Sequence, residues 1–386
     1  MARTIALMML VYLTLTSSTL LSQEPLPKNP LDQNAALSYW QAFALLPPID
    51  DETRQRMAAV MRGDASIDEE MEKLVAASEN ALAFLHRGST IQPCGWGLAF
   101  ETGPYAYLPH LGKARELSRM ALMRARIRFA EGQVEEAMAD TIAAIQLGRH
   151  AGQEGVIVLI NVLVGFSIES EAIETIVDSL QHLDQQQRDE FEQRINQFQP
   201  AKVSDISAAI KGERDVFLGW LIREIESGGS RDRILDLASE SAQSDTIARA
   251  KRASQDQLRD WAKEMASVYD SVITSISQPE ESIANAKKIE SQINDQVANN
   301  PLAAMFLPAF APTRLAGKRF VTKRTLLTAA FALFRDGPSA LDRDALKDPF
   351  GNGPFELRRL DDGAELVSDL KRGDASVSLK IPGLPE

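Results

Sequence analysis

The most regular alternation of apolar and polar positions lies between residues 113 and 150. At 100° per residue, residues 134–150 gather one apolar face, which comprises Val134, Ala137, Met138, Thr141, Ala144, Ile145 and Gly148. Residues 113–131 carry two apolar stripes, Ala114, Leu117, Ala121, Ala125 and Phe129 in one and Met120, Met123 and Ile127 in the other. The pattern predicts two antiparallel helices that fold back at Gly132, the first of them covered on two sides.

Capping residues predict further helices on both sides of this hairpin. Asn34 precedes the apolar segment NAALSYWQAFALL, which stops at Pro47-Pro48, and Asp184 precedes DQQQRDEFEQRINQF. Ser66 with Glu69 has the spacing of a capping box for a helix that ends near Gly88. Residues 204–300 are polar and amphipathic, with breaks at 228–229 and 279, and they predict long antiparallel helices.

The hydrophobic period changes from helix to strand after residue 338. Strands are predicted at 355–359 and 364–368, joined by a turn at Asp361-Asp362-Gly363, and a third at 376–381. The predicted fold class is therefore mainly α, an irregular helical bundle with a small C-terminal antiparallel sheet.

The first 22 residues have the order of a secretory signal. Arg3 precedes an apolar run over residues 4–15 and a small, polar exit. Cleavage after Ser18 or Ser22 would leave an exported protein of the periplasm or cell envelope, with membrane contact only before cleavage; the alternative is an uncleaved anchor. We divide the chain into a signal (1–22), a linker (23–33), a helical bundle (34–200), long polar helices (201–300) and a helix with a small sheet (301–386).

Charge and cysteine content narrow the classes of function. The net charge of -12 repels a phosphate backbone, so nucleic acid is not an expected partner. Cys94 is the single cysteine, which excludes an internal disulfide. The apolar run 156–168 is too short to span a bilayer and predicts a buried helix.

Candidate chemistry gathers at one end of the predicted hairpin. Antiparallel packing brings His110 near His150, with Cys94 on the preceding loop and Arg115 and Arg149 nearby. This set could form a thiol–imidazole pair or an anion pocket; the alternative is that His150 stabilises a helix C-terminus and His110 packs in the loop. The loop aromatics Trp96, Phe100, Tyr105 and Tyr107 either line a binding groove or plug the bundle.

The chain otherwise lacks the sequence signatures of catalysis. It contains no HExxH, GxSxG elbow, phosphate loop or dinucleotide fingerprint, and its four histidines lie far apart in sequence. We expect no cofactor and no metal.

Three resemblances complete the sequence evidence. Ala125, Gly132, Ala137 and Ala144 look like the small-residue pattern of one tetratricopeptide repeat. The tail, over about 301–370, is similar to the end of type II secretion pseudopilins through Asp348, Pro349, Phe350, Gly351, Pro354, Arg358, Gly363, Leu366 and Ser368. Asp369 to Asp374 replaces the acidic loop that binds calcium in several pseudopilins, and a calcium site there stays an alternative. The segments NAALSYWQAFALLP, Cys94-Gly-Trp, LPHLGKAR, GRHAG and DPFGNGPF together resemble a family of uncharacterised exported bacterial proteins.

These features imply three functions in decreasing order of support. The first is a non-catalytic interaction or scaffold protein of the periplasm or cell envelope with a protein partner, because helical hairpins bind peptides or partner helices. The second is a hydrolase-like enzyme that uses Cys94, His110 and His150. The third, suggested by the tail alone, is an accessory to a type II secretion-like machine.

Overall fold

Helices make up the first half of the folded chain. The computed structural model describes residues 33–153, 157–198, 203–227, 234, 237, 244–277, 283–307 and 310–385. Four short helices come first, α1 Ala35–Leu45, α2 Asp51–Arg62, α3 Glu69–Ala77 and α4 Glu79–Ser89. Four further helices follow, α5 Pro109–Ala130, α6 Val134–Gln153, α7 Leu159–Ser179 and α8 Gln185–Asn196.

The hairpin of α5 and α6 turns at the predicted glycine. Gly132 has a φ of 76°, in the left-handed region that glycine enters without steric cost. Ala121 and Ala125 in one stripe of α5 and Met120 and Met123 in the other are all buried. The helix is therefore covered on two sides, as its pattern predicts, and α7 packs against α6 along a similarly extensive contact.

A second group of helices has its own core. The group comprises α9 Val203–Glu213, a π-helical turn Arg214–Leu218, α10 Gly219–Glu226, α11 Ser244–Arg252, α12 Gln255–Ser277, α13 Ile283–Asn299 and α14 Pro301–Phe306. Leu221, Met265 and Tyr269 are fully buried in this core, which also receives Leu159 and Val162 from the start of α7. The first turns of α7 therefore join the two cores.

The C-terminal part returns to the first core. The helix α15 Phe310–Asp336 precedes three antiparallel strands, β1 Glu356–Leu360, β2 Gly363–Arg372 and β3 Ala375–Pro382, in the order β1-β2-β3. Leu366 and Ile381 of the sheet lie in the same cluster as Ala35 and Leu117. The sheet therefore closes the core that the N-terminal helices begin, and the mainly α class with a small sheet is confirmed.

Most predicted caps are confirmed, and one is wrong. Asn34 accepts a hydrogen bond from the amide of Ala36, and Asp184 forms a capping box with Gln187. The helix predicted from Ser66 instead begins after Asp68, whose carboxylate accepts from Met71 N at 3.0 Å. Asp68, and not Ser66, caps the helix because its backbone is extended directly before the first helical residue. That helix also divides into α3 and α4 at Ser78.

Several predictions from the sequence are not tested by the described residues. The predicted signal (1–22), nearly all of the linker and the helix breaks at 228–229 and 279 lie outside the described residues. The segment boundaries at 200 and 300, the tetratricopeptide resemblance and the pseudopilin resemblance stay predictions. Within the described ranges, no helix is both long enough and apolar enough to cross a bilayer.

Candidate functional site

The structure brings the two predicted histidines together around Trp96. The rings of Trp96 and His110 lie 4.6 Å apart between centroids, and Trp96 Nε1 donates a hydrogen bond to the carbonyl of His150 at 2.9 Å. We call Cys94, Trp96, His110 and His150, together with Tyr39, the His150 corner. Its two histidines come from the start of α5 and the end of α6, as the antiparallel hairpin requires.

The His150 corner is sealed inside the first core. Cys94 and His110 are 0% exposed and His150 is 2% exposed. His150 Nδ1 lies 2.8 Å from Tyr39 Oη, and its Nε2 lies 2.6 Å from Gln146 Nε2. A neutral imidazole that accepts from Gln146 at Nε2 carries its proton on Nδ1 and donates it to Tyr39. The hydrogen bonds of His150 are thus made within the protein.

Burial also keeps both imidazoles neutral at pH 7. It lowers the pKa of His110 and of His150 to about 4. His110 Nε2 is 3.3 Å from Asn161 Nδ2, whereas His110 Nδ1 has no hydrogen-bond partner among the described residues. The corner therefore resembles a packed aromatic plug more closely than an open catalytic centre.

Of the two predicted arginines, Arg149 forms a buried structural ion pair and Arg115 does not. Arg149 donates to the Glu169 carboxylate from its Nε at 2.9 Å and from its Nη2 at 3.0 Å, and Arg324 Nη1 donates to the same carboxylate at 2.9 Å. Arg115 lies half-buried on α5, and burial followed by the charge of Arg119 lowers its pKa. The structure therefore does not bring Arg149 into an open site.

The remaining predicted residues point to a different place. Tyr105 packs edge-on against Trp220 at 5.8 Å, and Tyr107 is 82% exposed. Both belong to the loop before α5, and other residues of this loop line an apolar pocket of about 370 Å³. The loop, the start of α7 and the π-helical turn supply most of the lining, which comprises Phe100, Gly103, Pro104, Ala106, Leu108, Val158, Leu159, Ile160, Leu163, Glu213, Val216, Phe217 and Phe306. We call this cavity the Glu213 pocket.

Two glycines allow the walls of the Glu213 pocket to meet. A Cβ on Gly103, which has a φ of 63°, would lie 2.4 Å from Cγ of Trp220. A Cβ on Gly212 would lie 2.0 Å from the carbonyl oxygen of Ile157. Because neither position carries a side chain, the loop can rest on α10 and α9 can reach the chain just before α7.

The close contact of α9 with the chain before α7 places the carboxylate of Glu213 inside the apolar pocket. Glu213 Oε2 accepts a hydrogen bond from Leu159 N, the first residue of α7, at 3.1 Å. Val158, the residue before α7, offers no side-chain cap, so Glu213 supplies this acceptor from a remote helix. Burial raises the pKa of Glu213 against the opposing effect of that hydrogen bond.

A buried tyrosine belongs to the same region. Tyr269 is 0% exposed, and its hydroxyl has no hydrogen-bond partner among the described residues. Burial, and then the charge of Glu213, raise the pKa of this hydroxyl. The π-helical turn that follows Glu213 carries Val216 and Phe217 into the pocket, and such turns occur often at functional sites.

The arrangement suits binding of an apolar group. Across the described residues, no group of three or more His, Cys, Asp or Glu is placed to hold a metal ion.

In the tail, the Asp348 carboxylate accepts hydrogen bonds from the Ser368 hydroxyl at 2.8 Å and the Asp369 amide at 2.7 Å, which fixes the turn. No protein-family model, curated protein or solved structure matches this chain.

Sequence reasoning identified the loop of this site and missed its other walls. Glu213 and Phe217 lie in a polar helical stretch more than 100 residues from Tyr107. The one local signal was Val158, since a helix that begins without a capping side chain needs an acceptor from elsewhere.

Proposed function

We propose that this chain is a non-catalytic interaction protein of the periplasm or cell envelope, which holds apolar side chains of a protein partner in the Glu213 pocket. The observation that carries the proposal is the pocket itself. Its volume of about 370 Å³ lies in the range of ligand sites, and its lining is apolar apart from one carboxylate.

The exposed residues at the rim of the pocket support the proposal that its partner is a protein. Ile160 is 46% exposed and lines the pocket, and Tyr107, 82% exposed, lies between the lining residues Ala106 and Leu108. Large apolar side chains exposed beside a cavity are typical of protein contact surfaces, where tyrosine is enriched. The burial of Cys94, His110 and His150 favours binding over the hydrolase alternative.

A photo-crosslinking side chain in place of Tyr107 tests the proposal in cells that produce the protein. We expect one discrete adduct, identified by mass spectrometry, because the partner covers this rim. Ile160→Asp should weaken the adduct, since it places a charge at the apolar opening while leaving the folded chain intact.

Leu37→Asp is the matched control. Leu37 is 39% exposed and, like Ile160, lies in the first turn of a helix, where an acidic side chain is tolerated. An adduct that persists in both variants, or is lost equally in both, would contradict the proposed site.

A further inference from the structure

Glu213 differs from the buried acids of α5, α6 and α7 because no basic side chain of the described residues pairs with it. Each of those acids forms ion pairs with two bases, Glu116 with Arg54 and Lys113, Asp140 with Arg124 and Arg128, and Glu169 with Arg149 and Arg324. Arg214 follows Glu213 directly in sequence, but it pairs with Asp215 and Asp270 instead. The carboxylate in the Glu213 pocket therefore lacks a counter-ion within the described part of the chain.

The hydrogen-bonding capacity of the Glu213 carboxylate is also only partly used. Oε2 accepts from Leu159 N at 3.1 Å, and no described residue donates to Oε1. The Tyr269 hydroxyl, whose pKa is raised by burial and then by the charge of Glu213, makes no hydrogen bond with any described residue. By contrast, the buried carboxylate of Asp348 accepts from three donors, Phe350 N, Ser368 Oγ and Asp369 N. The pocket therefore leaves one carboxylate oxygen for a donor from outside.

The N-terminus of α7 neutralises only part of the charge of Glu213. A helix N-terminus carries roughly half of one positive charge, and Glu213 meets it at a single amide, that of Leu159. About half of the negative charge is therefore left, in a pocket whose other lining residues are apolar. Because a charge in apolar surroundings is costly without a partner, the pocket favours an occupant that carries a positive charge.

Phenylalanines in the lining favour an arginine over a lysine as that occupant. Phe100, Phe217 and Phe306 line the pocket, and the rings of Phe217 and Phe306 lie 4.9 Å apart between centroids. A guanidinium is planar and weakly hydrated, so it can stack on an aromatic ring while it donates to a carboxylate. The same chain places the guanidinium of Arg188 over the ring of Phe334, at 4.4 Å from the centroid.

We propose that the protein partner inserts an arginine beside its apolar side chains in the Glu213 pocket, where the guanidinium pairs with Glu213 and the methylene groups contact the apolar lining. The inference rests on the proposed function and names the side chain that the pocket selects. Because Glu213 is already largely buried in the free chain, binding adds mainly the desolvation of the arginine to the cost of the pair. The pair also rejects a partner that presents an acid at this position.

Three short peptides and titration calorimetry test this assignment on the full chain. Each peptide has capped ends, two leucines, two alanines and one central side chain, which is arginine, lysine or citrulline. Citrulline has nearly the shape of arginine and no charge, so the comparison isolates the contribution of the charge. We expect the arginine peptide to bind about tenfold more tightly than the citrulline peptide, with the lysine peptide between them.

Two Glu→Gln variants assign the preference for arginine to the pocket. Glu213→Gln removes the charge and keeps both the shape of the side chain and an acceptor for Leu159 N, so the arginine and citrulline peptides should bind it equally. Glu226→Gln is the matched control, since Glu226 is exposed on α10 and does not line the pocket. This control changes the net charge of -12 by the same amount and should keep the full preference. Thermal melting verifies that both variants are folded.

The remaining outcomes separate this inference from the proposed function. Equal binding of the three peptides to the wild type, no binding of any, a preference that persists in Glu213→Gln, or one lost equally in Glu226→Gln would each overturn the pairing of an arginine with Glu213. The Tyr107 adduct judges the pocket independently, and its loss in Ile160→Asp would leave the proposed function standing after any of these results. Binding of hexylguanidine as tight as that of the arginine peptide would assign the pocket to a small cationic ligand and overturn the inserted side chain.

Discussion

The His150 corner and the Glu213 pocket both place a titratable side chain among apolar neighbours, yet only one of them is open. In the corner, Tyr39 and Gln146 occupy both nitrogens of His150, and Trp96 covers His110. In the pocket, Glu213 has one backbone partner and faces a cavity of about 370 Å³. The difference shows that a conspicuous residue type is a weaker guide to a site than the space left beside a residue.

One loop supplies both regions. Trp96 near its start turns into the first core, whereas Tyr107 near its end stays 82% exposed beside the pocket. The corner lies where α1, α5 and α6 meet, inside a single core. The pocket lies where the first turns of α7 join two cores, and surfaces of two cores that meet leave gaps more readily than one core does.

The largest expected difference between the two regions is in acid stability. The unfolded chain binds protons at His110 and His150 near pH 6.5, whereas the folded chain binds them near pH 4. The unfolded state holds more protons between these values, so the free energy of unfolding falls as the pH falls through this window. The loss is about 1.4 kcal/mol per pH unit for each histidine.

Urea unfolding at pH 7, 6 and 5 measures this dependence. His150→Gln removes one of the two histidines, so its free energy of unfolding should depend on pH about half as steeply over this window. An identical slope in the wild type and the variant would show that the corner is hydrated.

Two fully buried tyrosines give a sharper pairwise test. The Tyr39 hydroxyl bonds to His150 Nδ1 at 2.8 Å, whereas the Tyr269 hydroxyl has no partner among the described residues. Tyr39→Phe should lower the free energy of unfolding by about 1–2 kcal/mol, and Tyr269→Phe should change it by about zero. Both substitutions remove only one oxygen atom, so each controls for the other. Equal losses in urea unfolding would contradict the assigned contacts.

The smallest effect is expected at Glu213, with the opposite sign to that of the histidines. Burial raises its pKa, so the stabilising contribution of its protonated form is present below the usual pKa of 4.5 and is lost as the pH rises through the raised value. Glu213→Gln keeps an acceptor for Leu159 N and removes this loss. Its melting temperature relative to the wild type should therefore rise between pH 4 and pH 8; a constant difference would contradict the burial of Glu213.

Local signals predicted most of the fold. The turn at Gly132, the cap of Asn34 and the turn at Asp361 to Gly363 depend on residues within a few positions of each other, and all three are confirmed. The approach of His110 to His150 followed from the antiparallel hairpin alone. The cap at Asp68 was missed because two neighbouring polar residues competed for one position.

The walls of the Glu213 pocket could not be predicted in this way. Leu108, Leu163 and Phe217 lie about 50 residues apart from one to the next, and no periodicity relates them. Their meeting depends on Gly103 and Gly212, where a side chain would clash with Trp220 and with the backbone of Ile157. Long-range packing of this kind leaves no local pattern in one sequence.

The sheet at the C-terminus has a consequence for the timing of folding. The cluster that begins at Ala35 also contains Leu379, Ile381 and Leu384. Contacts so distant along the chain make folding slow. The last strand must leave the ribosome before it can cover the apolar core of the N-terminal helices. The N-terminal helices therefore expose apolar surface until β3 has been synthesised, which makes the incomplete chain prone to aggregation.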